Sequence, residues 1–422
     1  MNRNEFNALC TILENPGITQ RQLATLLNVS LGSANTIHRS LSQAKLIADG
    51  KITARGLREL EPYKAKNAIV MAAGLSSRFA PISYEKPKGL LSVRGDILIE
   101  RMIRQLHETG ITDITVVVGY KKELFFYLEE KLGVTIAVNP DYATRNNNST
   151  LMLVRKKLGN TYICTSDAYC ATNPFRLYNW KANYAVEYAE GKTSEWCVRA
   201  DKSGRIVDIQ VGGQDAWYMT DQAYFDHTFS QRFREILEAE YDDPRTAGKL
   251  WEEIYADHLG ELDMEMRRLE SGTIFEFDSL DEMKEFDPLF LENIDIEIFD
   301  NIVSVLGCTK SEIRDVFPLK QGLTNLSCHF ATNDGEYVYR HPGIGTEEMI
   351  DRAAEAQALS LARDIGIDNT FIYEDTEHGW KISRFLPNCR ELDPHNEAEL
   401  AEAMSVARTL HAQALKLDRH FD

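Results

Sequence analysis

The pattern of apolar and polar positions changes twice along the chain. In the first 60 residues, apolar residues recur at helical spacing in short segments separated by turns, followed by a short hairpin. After a charged linker at 61–66, short β-branched runs alternate with amphipathic segments, which is typical of a parallel α/β sheet. From about 301 a helix, a glycine-containing hairpin and a helix rich in Ala and Glu follow. We therefore predict three domains, at 1–62, 67–295 and 300–422.

The pattern also predicts individual elements. In the first domain it predicts helices at 18–27 and 33–44, with a short hairpin at 46–53. The predicted strands of the central domain are 67–72, 114–118, 134–138 and 161–165, with helices at about 97–109 and 121–131. In the last domain it predicts a hairpin around 321–341 and a helix at about 346–364.

The first domain carries a helix-turn-helix spacing, with the turn at 28–32 and a reduced wing at 46–53. This arrangement resembles the winged helix-turn-helix of bacterial regulators. The resemblance implies contact with DNA through residues 1–60, because the second helix of such a motif lies in the major groove. The alternatives are a degenerate domain or one that serves only for dimerisation, which would make the protein a homodimer. The residues expected on the exposed side of the recognition helix are Asn35, Thr36, His38, Arg39 and Ser42.

Charge and cysteine content narrow the classes of function. The chain of 422 residues has a net charge of −18, which argues against binding of nucleic acid over most of its surface. Residues 1–66 are the exception, since basic residues outnumber acidic ones there. The seven cysteines lack the paired spacing of a zinc or redox motif. Without an apolar run long enough to cross a bilayer or a signal-peptide core, we expect a cytoplasmic protein with no membrane partner.

A predicted strand at 67–72 runs directly into a turn of small residues and an arginine, in the sequence Ala72-Ala73-Gly74-Leu75-Ser76-Ser77-Arg78. Small side chains allow backbone N–H groups to approach a triphosphate closely, and Arg78 can neutralise part of its charge. Lys88 follows ten residues later, in Lys86-Pro87-Lys88-Gly89-Leu90-Leu91, and could bind a phosphate as a point charge. The segment is not a Walker A loop, because no Gly-Lys-Ser/Thr follows the strand.

This combination resembles the sugar nucleotidyltransferase superfamily over about residues 67–290. The resemblance implies a Rossmann-like α/β domain with a mostly parallel central sheet, between the small winged-helix domain and a C-terminal α+β domain. It also implies that Lys88 bridges the nucleotide and the acceptor phosphate. The residues that it implies for binding of the nucleotide are Ala72, Ala73, Gly74, Ser76, Ser77, Arg78, Tyr120, Asn146, Asn148, Ser149 and Ser166.

Nucleotidyl transfer needs Mg²⁺, so carboxylates are expected at strand ends near the loop. Asp167 ends a buried strand, which is the usual place for a ligand at the carboxyl edge of a parallel sheet. In a predicted strand at 272–280, alternation would place Glu276 and Asp278 on one face. That segment resembles the metal-binding segment of the phosphocholine branch of the superfamily. We predict Mg²⁺ as the cofactor and Asp167, Glu276 and Asp278 as its ligands.

The segment between the two acidic motifs is rich in aromatic residues. A quaternary ammonium group lacks N–H donors and is best held by aromatic faces, together with acids such as Asp221, Glu252 or Glu253. The segments at 215–220 and 251–255 resemble phosphocholine cytidylyltransferases, whereas a 2-aminoethylphosphonate enzyme would favour acids over rings. We predict substrate contacts from Lys88, Tyr169, Trp196, Trp217, Tyr218 and Trp251.

The segment 317–422 resembles the N-terminal lobe of bacterial choline kinases. In that interpretation Gly322 to Ser327 cover ATP phosphates, while Arg340 stands where such kinases have a lysine and pairs with Glu355 of the next helix. His420-Phe421-Asp422 mimics a catalytic H-x-D motif, and we interpret it as a chance match. We therefore expect a partial kinase lobe from a longer fusion, without kinase turnover.

These expectations combine into one hypothesis. The chain would be a Mg²⁺-dependent nucleotidyltransferase that converts CTP and phosphocholine to CDP-choline and pyrophosphate, with Arg78, Lys88 and Asp167 in catalytic roles. The resemblance implies that its product feeds phosphocholine decoration of cell-surface glycans. The alternatives are another phospho-amino-alcohol or 2-aminoethylphosphonate as acceptor, and a transcriptional regulator that senses CTP or phosphocholine.

Overall fold

The computed structural model describes residues 1–319, 325–343, 350–390 and 392–413. The helices are α1 Arg3–Glu14, α2 Gln20–Leu26, α3 Leu31–Gln43, α4 Ala54–Leu60, α5 Ile82–Glu85, α6 Leu98–Glu108, α7 Tyr127–Leu132, α8 Asn148–Val154, α9 His227–Glu240, α10 Pro244–Ala247, α11 Trp251–Asp257, α12 Leu280–Phe286, α13 Phe290–Asn293, α14 Glu297–Leu306, α15 Arg352–Asp364 and α16 Glu397–Ala412.

The strands are β1 Ile47–Ala48, β2 Lys51–Ile52, β3 Asn67–Ala72, β4 Ser92–Val93, β5 Asp96–Ile97, β6 Asp113–Val118, β7 Thr135–Val138, β8 Thr161–Thr165, β9 Tyr169–Cys170, β10 Asn183–Ala200, β11 Ile206–Phe225, β12 Glu265–Arg268, β13 Ile274–Phe275, β14 Arg314–Pro318, β15 Asn325–Thr332, β16 Gly335–Pro342, β17 Phe371–Glu374 and β18 Lys381–Arg384.

The chain divides into two compact units. The first unit contains residues 1–74 and 98–276, and the second contains residues 75–97 and 277–422. The predicted winged-helix and central segments therefore share one unit, whereas the segment that contains Arg78 and Lys88 belongs with the C-terminal part. The three-domain division remains a prediction.

A seven-stranded mixed sheet forms the centre of the first unit. Its strand order is β12-β10-β11-β8-β3-β6-β7, and β11 is antiparallel to both of its neighbours while the other pairs are parallel. Every residue of β3 is buried, because this strand lies in the middle of the sheet. The predicted Rossmann-like domain with a mostly parallel central sheet is confirmed.

The N-terminal segment forms the predicted winged helix-turn-helix, with β1 and β2 as a short antiparallel wing. The α3 helix begins two residues earlier than predicted, because the Ser30 side chain accepts a hydrogen bond from the Ser33 backbone N–H and caps it. Gly32 therefore lies in the first turn of α3 instead of in the connecting turn. Asn35, Thr36, Arg39 and Ser42 are exposed on α3, and His38 is half-buried.

The helix-turn-helix packs on the remainder of the first unit through α1. The rings of Phe6, Tyr63 and Trp180 form one cluster, in which Tyr63 and Trp180 are stacked with centroids 5.1 Å apart. Arg3 adds an ion pair with Glu265, with Nη2 2.9 Å from Oε2. These contacts bury one face of α1 and leave the exposed residues of α3 on another part of the domain.

The second unit contains a five-stranded antiparallel sheet, in the order β14-β15-β16-β18-β17, with α15 packed on β17. This arrangement is compatible with the predicted C-terminal α+β domain. The predicted pairing of Arg340 with Glu355 is present: Arg340 Nη2 donates to Glu355 Oε2 at 3.1 Å, and Nη1 donates to Oε1. The predicted phosphate-covering turn lies partly outside the described residues, at 322–324, and so does His420-Phe421-Asp422.

Three element predictions need correction. The strand predicted at 272–280 is only Ile274–Phe275, because Ser279 caps α12 and turns the chain into a helix. The helix predicted at 121–131 is a 3-10 turn followed by α7, and α15 begins at Arg352, where Asp351 caps it. The long hairpin of β10 and β11 was not predicted at all. Within the described residues, no helix is long and apolar enough to cross a membrane.

Candidate active site

Three predicted nucleotide-binding segments meet at the carboxyl edge of the central sheet. They follow β3, β6 and β8, which are neighbouring parallel strands. The Tyr120 N–H donates to the Ala73 carbonyl oxygen at 3.3 Å, and the Ser166 N–H donates to the Met71 carbonyl oxygen at 3.0 Å. Ligands of open α/β sheets bind at this edge. The structure thus brings together Ala72 to Gly74, Tyr120, and Ser166 with Asp167.

Two glycines have different functions at this edge. A Cβ at Gly119 would lie 2.6 Å from the Tyr142 side chain and 2.9 Å from the Ala73 carbonyl oxygen, so only glycine allows the two loops to pack. A Cβ at Gly74 would meet no atom within 4 Å. Gly74 is exposed, and the space above it is open. Gly119 therefore shapes the loop, whereas Gly74 leaves room for a group that approaches its backbone.

The two predicted cations lie in the second unit. Arg78 is exposed and forms an ion pair with Asp278, with Nη1 2.8 Å from Oδ1. Lys88 is only 6% exposed, and its Nζ lies 5.6 Å from the centroid of the Phe79 ring. Ser76 precedes Arg78 in a left-handed conformation with φ of 48°, next to the exposed Ser77. Arg78 thus lies at the surface of the second unit, whereas Lys88 is buried.

The same segment is anchored by contacts within the second unit. The Glu85 carboxylate accepts hydrogen bonds from the backbone N–H groups of Glu297 and Ile298, at 2.8 and 2.7 Å, at the beginning of α14. The Tyr84 hydroxyl donates to the Ser327 carbonyl oxygen at 3.3 Å. These contacts brace the turn between Arg78 and Lys88 against α14 and β15.

The predicted metal ligands belong to both units. Asp167 is half-buried in the turn after β8, and Glu276 directly follows β13. Since β13 is antiparallel to β9, with Phe275 opposite Tyr169, Asp167 and Glu276 lie at the same end of this short ribbon. Asp278 is exposed and paired with Arg78. Among the described residues, no group of three acidic, histidine or cysteine side chains is arranged to hold a metal ion.

The donor set nevertheless fits a magnesium ion. Mg²⁺ prefers oxygen ligands and is commonly bound by one or two carboxylates together with substrate phosphates, without an all-protein cage. Asp167 and Glu276 supply carboxylate oxygens at one end of the β9–β13 ribbon. This arrangement suits an ion that arrives with a nucleotide. Asp278 as a third ligand remains a prediction.

A buried glutamate that we did not predict holds this ribbon in place. The Glu187 carboxylate, on β10, accepts hydrogen bonds from the backbone N–H groups of Gly272 and Ile274, both at 2.7 Å. Burial raises the pKa of Glu187, and these backbone donors act against that shift. Glu187 thereby fixes the start of β13 and, through it, the position of Glu276. A single acid within the apolar run Tyr184-Ala185-Val186-Glu187 was the available sequence signal.

A cavity of about 320 Å³ lies beside the ribbon in the first unit. Three aromatic rings line it, from Tyr188, Tyr218 and Phe275, together with three carboxylates, from Glu195, Asp221 and Glu276. A lysine, Lys192, also lies on its wall. Rings and carboxylates together suit a cationic ammonium group.

The predicted substrate rings are distributed differently from the expectation. Of these rings, only Tyr218 lines the cavity. Tyr169 is buried with the Arg101 guanidinium 4.7 Å from its ring centroid, whereas Trp196 and Trp217 are partly buried against the core. Trp251 is 1% exposed and stacks on Tyr184, so the prediction that it contacts substrate needs correction. Trp251 lies on the buried face of α11, so its ring packs within the core.

The asparagine segment before α8 binds the connection between α10 and α11. Asn146 Nδ2 donates to the Gly248 carbonyl oxygen at 3.1 Å, and the buried Asn148 donates to the carbonyl oxygens of Thr246 and Lys249. The Ser149 hydroxyl is buried and donates to the Asn146 carbonyl oxygen at 2.8 Å. Asn148 and Ser149 were predicted to bind the nucleotide. Their side chains are instead buried and hydrogen-bonded within the protein, where they position this segment. Asn146 is exposed.

Glu252, at the beginning of α11, is an acid with an altered proton affinity. Burial raises its pKa to about 7, although hydrogen bonds from the Asn147 amide and the Tyr184 hydroxyl, at 3.2 and 3.4 Å, oppose the shift. The carboxyl thus changes its charge near neutral pH.

Together, the loop after β3, the acidic turn after β8 and the cavity beside the β9–β13 ribbon define a nucleotidyltransferase. Residues 68–182 match the family described as MobA-like NTP transferase domain, and residues 1–53 match the family described as winged helix-turn-helix DNA-binding. Enzymes of the first family typically use a divalent metal ion.

Two relatives identify the branch of the family. The choline-phosphate cytidylyltransferase of Streptococcus pneumoniae is 32% identical over 222 residues, which are 53% of this chain and 97% of that enzyme. The 2-aminoethylphosphonate cytidylyltransferase of Lancefieldella rimae is 35% identical over 225 residues, 52% of this chain and 92% of that enzyme. The solved structure of the CTP:phosphocholine cytidylyltransferase LicC from S. pneumoniae superposes with a TM-score of 0.52 at 32% identity, covering 53% of this chain and 99% of that one. The chain belongs to this family of cytidylyltransferases.

Proposed function

We propose that the chain transfers the cytidylyl group of CTP to phosphocholine in a Mg²⁺-dependent reaction that releases pyrophosphate. The observation that carries the proposal is the cavity beside the β9–β13 ribbon, where three rings and three carboxylates line about 320 Å³. Such a wall suits a quaternary ammonium group, which offers charge and apolar methyl groups but no N–H donor. The 32% identity to the choline-phosphate enzyme supports the same acceptor.

In the proposed reaction, an oxygen of the acceptor phosphate attacks the α-phosphorus of CTP. The new bond forms as the bond from the α-phosphorus to the bridging oxygen breaks, and the electron pair leaves with pyrophosphate. Arg78 and Lys88 offset the charge that develops on the phosphate oxygens, and Ala72 to Gly74 offer backbone N–H groups. Asp167, Glu276 and Asp278 would hold a magnesium ion, whose chemistry is to neutralise and orient phosphate oxygens.

A second candidate acceptor is 2-aminoethylphosphonate. The relative that acts on this compound is 35% identical, and the cavity holds as many carboxylates as rings. A primary ammonium group donates three hydrogen bonds, two of which Glu195 and Asp221 could accept. Phosphocholine would therefore be bound mainly by the aromatic rings of the cavity, and 2-aminoethylphosphonate mainly by its carboxylates.

The test is pyrophosphate release from CTP and Mg²⁺ with phosphocholine, phosphoethanolamine, 2-aminoethylphosphonate or glucose 1-phosphate as acceptor. We expect the highest kcat/KM with phosphocholine. Tyr218→Leu should then lower kcat/KM more for phosphocholine than for 2-aminoethylphosphonate, while Trp196→Leu, outside the cavity, serves as the control. Preference for 2-aminoethylphosphonate would select the second candidate. If no acceptor releases pyrophosphate, the proposal that the protein senses CTP or phosphocholine would take its place.

We further propose contact with DNA through residues 1–60, supported by the exposed Asn35, Thr36, Arg39 and Ser42 on α3. Binding of a labelled duplex that weakens with added salt and in Arg39→Ala would support this proposal. A homodimer without DNA affinity would favour dimerisation as the role of this domain.

For the C-terminal segment, the pairing of Arg340 with Glu355 supports the proposed likeness to a choline kinase lobe.

A further inference from the structure

A small cleft lies where α1 meets the remainder of the first unit. It has a volume of about 100 Å³. One wall comes from α1, and the other comes from the segments around Trp180 and Arg267. We call it the α1 cleft and define it by Arg3, Arg176, Trp180, Lys181, Glu265 and Arg267. It is lined by different residues from the cavity beside the β9–β13 ribbon.

Two arginines of the α1 cleft have no carboxylate partner among the described residues. Arg267 is half-buried, and its Nε and Nη1 donate to the Asn183 side-chain oxygen at 3.0 Å and to the Pro174 carbonyl oxygen at 2.9 Å. Both acceptors are neutral. Arg176 is exposed and forms no ion pair within the described part of the chain. The other cations of the cleft are neutralised, since Arg3 pairs with Glu265 and Lys181 pairs with Asp263.

The unpaired guanidinium groups are near enough to affect each other. Burial is the main cause that lowers the pKa of Arg267, and the neighbouring Arg176 cation acts in the same direction. Such repulsion is unexpected in a chain with a net charge of −18, where carboxylates are abundant. Four cations and one carboxylate, Glu265, line the cleft, and that carboxylate is paired with Arg3. Such an excess of positive charge is the arrangement of an anion site.

We propose that the α1 cleft binds a compact phosphate-bearing anion through Arg176 and Arg267. Guanidinium groups bind phosphate oxygens with paired, charge-assisted hydrogen bonds. A water molecule occupies about 10 to 15 Å³ on the same measure of volume, so the cleft admits a group of several atoms but not a whole nucleotide. Because the walls come from both α1 and the sheet domain, the bound anion stabilises the docking of the helix-turn-helix. The site therefore links a small phosphorylated compound to residues 1–60, a role beyond the proposed reaction.

The test is calorimetric titration of the full chain with inorganic phosphate, compared with acetate at the same ionic strength. We expect saturable phosphate binding that weakens roughly tenfold or more in Arg176→Gln, because a charge-assisted hydrogen bond is lost. Arg199→Gln, an exposed arginine elsewhere on the first unit, is the matched control and should bind as the wild type does. Arg176 is exposed, so its substitution should leave the fold intact.

A second variant separates this cleft from the proposed catalytic loop. Lys88→Ala should keep the phosphate affinity of the α1 cleft, and Arg176→Gln should keep the KM for CTP. Equal phosphate affinity in Arg176→Gln and the wild type would overturn the proposal, and so would loss of binding in Lys88→Ala alone. Binding of acetate as tightly as phosphate would overturn the assignment of a phosphate group. None of these outcomes depends on which acceptor the enzyme uses.

Discussion

Arg78 and Asp278 form an ion pair, with Nη1 of the arginine 2.8 Å from Oδ1 of the aspartate. The sequence predicts that Arg78 binds the nucleotide and that Asp278 binds a metal ion. Their ion pair therefore neutralises two side chains that are predicted to interact with substrate and metal. The pair is exposed, and exposed pairs contribute at most about 1 kcal/mol to stability. A substitution at either position should therefore leave the fold intact.

From this contact we predict the behaviour of Asp278→Asn. If Asp278 is a metal ligand, pyrophosphate release should fall roughly tenfold or more and should need a higher Mg²⁺ concentration. Affinity for CTP in the presence of EDTA should not fall, because Arg78 loses a competing anion. Turnover across a Mg²⁺ titration, with Asp281→Asn on α12 as control, measures the effect. Unchanged turnover would show that Asp278 is not a metal ligand and that it only pairs with Arg78.

Asp167→Ala should abolish turnover without disturbing the fold. The side chain is half-buried in the turn after β8, where the neighbouring Ser166 N–H bonds to the end of β3. We expect kcat to fall by about two orders of magnitude or more, since a metal-binding carboxylate acts on the developing charge. Asp113→Ala is the matched control, because Asp113 begins β6 at the opposite edge of the sheet. Retained activity in Asp167→Ala, with an unchanged circular dichroism spectrum, would refute the metal assignment.

Gly119→Ala should disturb the loop after β3. The added Cβ would lie 2.9 Å from the Ala73 carbonyl oxygen and 2.6 Å from the Tyr142 side chain, so one of the loops must move. We expect weaker binding of CTP and a lower melting temperature, measured by titration and by thermal unfolding. Gly159→Ala is the control, because a Cβ there meets no atom within 4 Å. Equal CTP affinity in both variants would contradict the importance of the loop contact.

The raised pKa of Glu252 predicts a pH-dependent stability. Burial raises this pKa from its usual value of 4.5 to about 7, so the folded state favours the protonated carboxyl. That contribution is complete below about pH 4.5 and is lost as the pH rises through about 7. It amounts to about 3 kcal/mol.

Glu252→Gln removes the titration while it keeps an acceptor for Asn147. The free energy of unfolding of the variant, relative to that of the wild type, should therefore rise between pH 5 and pH 8. Urea unfolding of both proteins at the two pH values measures this difference. A difference that stays constant with pH would show that Glu252 is ionised throughout that range.

Glu355→Ala should destabilise the sheet of the C-terminal unit. Glu355 accepts hydrogen bonds from Arg340, Arg352 and Lys381, and the Arg340 side chain is largely buried. Because Glu374 also contacts Arg340, at 2.5 Å, we expect a loss of roughly 2 to 3 kcal/mol, below the full cost of an unpaired buried charge. Hydrogen exchange at the amides of β16 and β18 measures the change. Asp364→Ala, which breaks an exposed pair on the same helix, should cost less than about 1 kcal/mol; equal effects would contradict the prediction.

Several elements could be predicted because their patterns are local. The bounds of β3 and β8 agree with the predicted strands, since continuous apolar runs are typical of strands buried on both faces. The loop after β3 could be predicted to bind phosphate, because small residues, Arg78 and Lys88 follow the strand at a characteristic spacing. The pairing of Arg340 with Glu355, which the resemblance to choline kinases implied, is present in the structure.

Other features depend on residues that are distant in sequence. The hairpin of β10 and β11 carries exposed and half-buried side chains over much of its length, so its middle has no continuous apolar run of the kind that marks a buried strand. Trp251 and Asn148 have residue types that suit a binding site, but neighbours from other elements bury both. Glu187 could not be assigned, because its partners, Gly272 and Ile274, lie some 85 residues further along the chain.

The sequence by itself determined the class of enzyme and the helix-turn-helix, and it predicted the residues that bind phosphate, because these depend on spacing within single segments. Only the tertiary structure decided which rings line the cavity and that Arg78 pairs with Asp278. It also decided that Arg176 and Arg267 share a cleft whose carboxylate, Glu265, is paired with Arg3. Burial and the partner of a charge are properties of packing between distant segments, and spacing along the chain does not specify them.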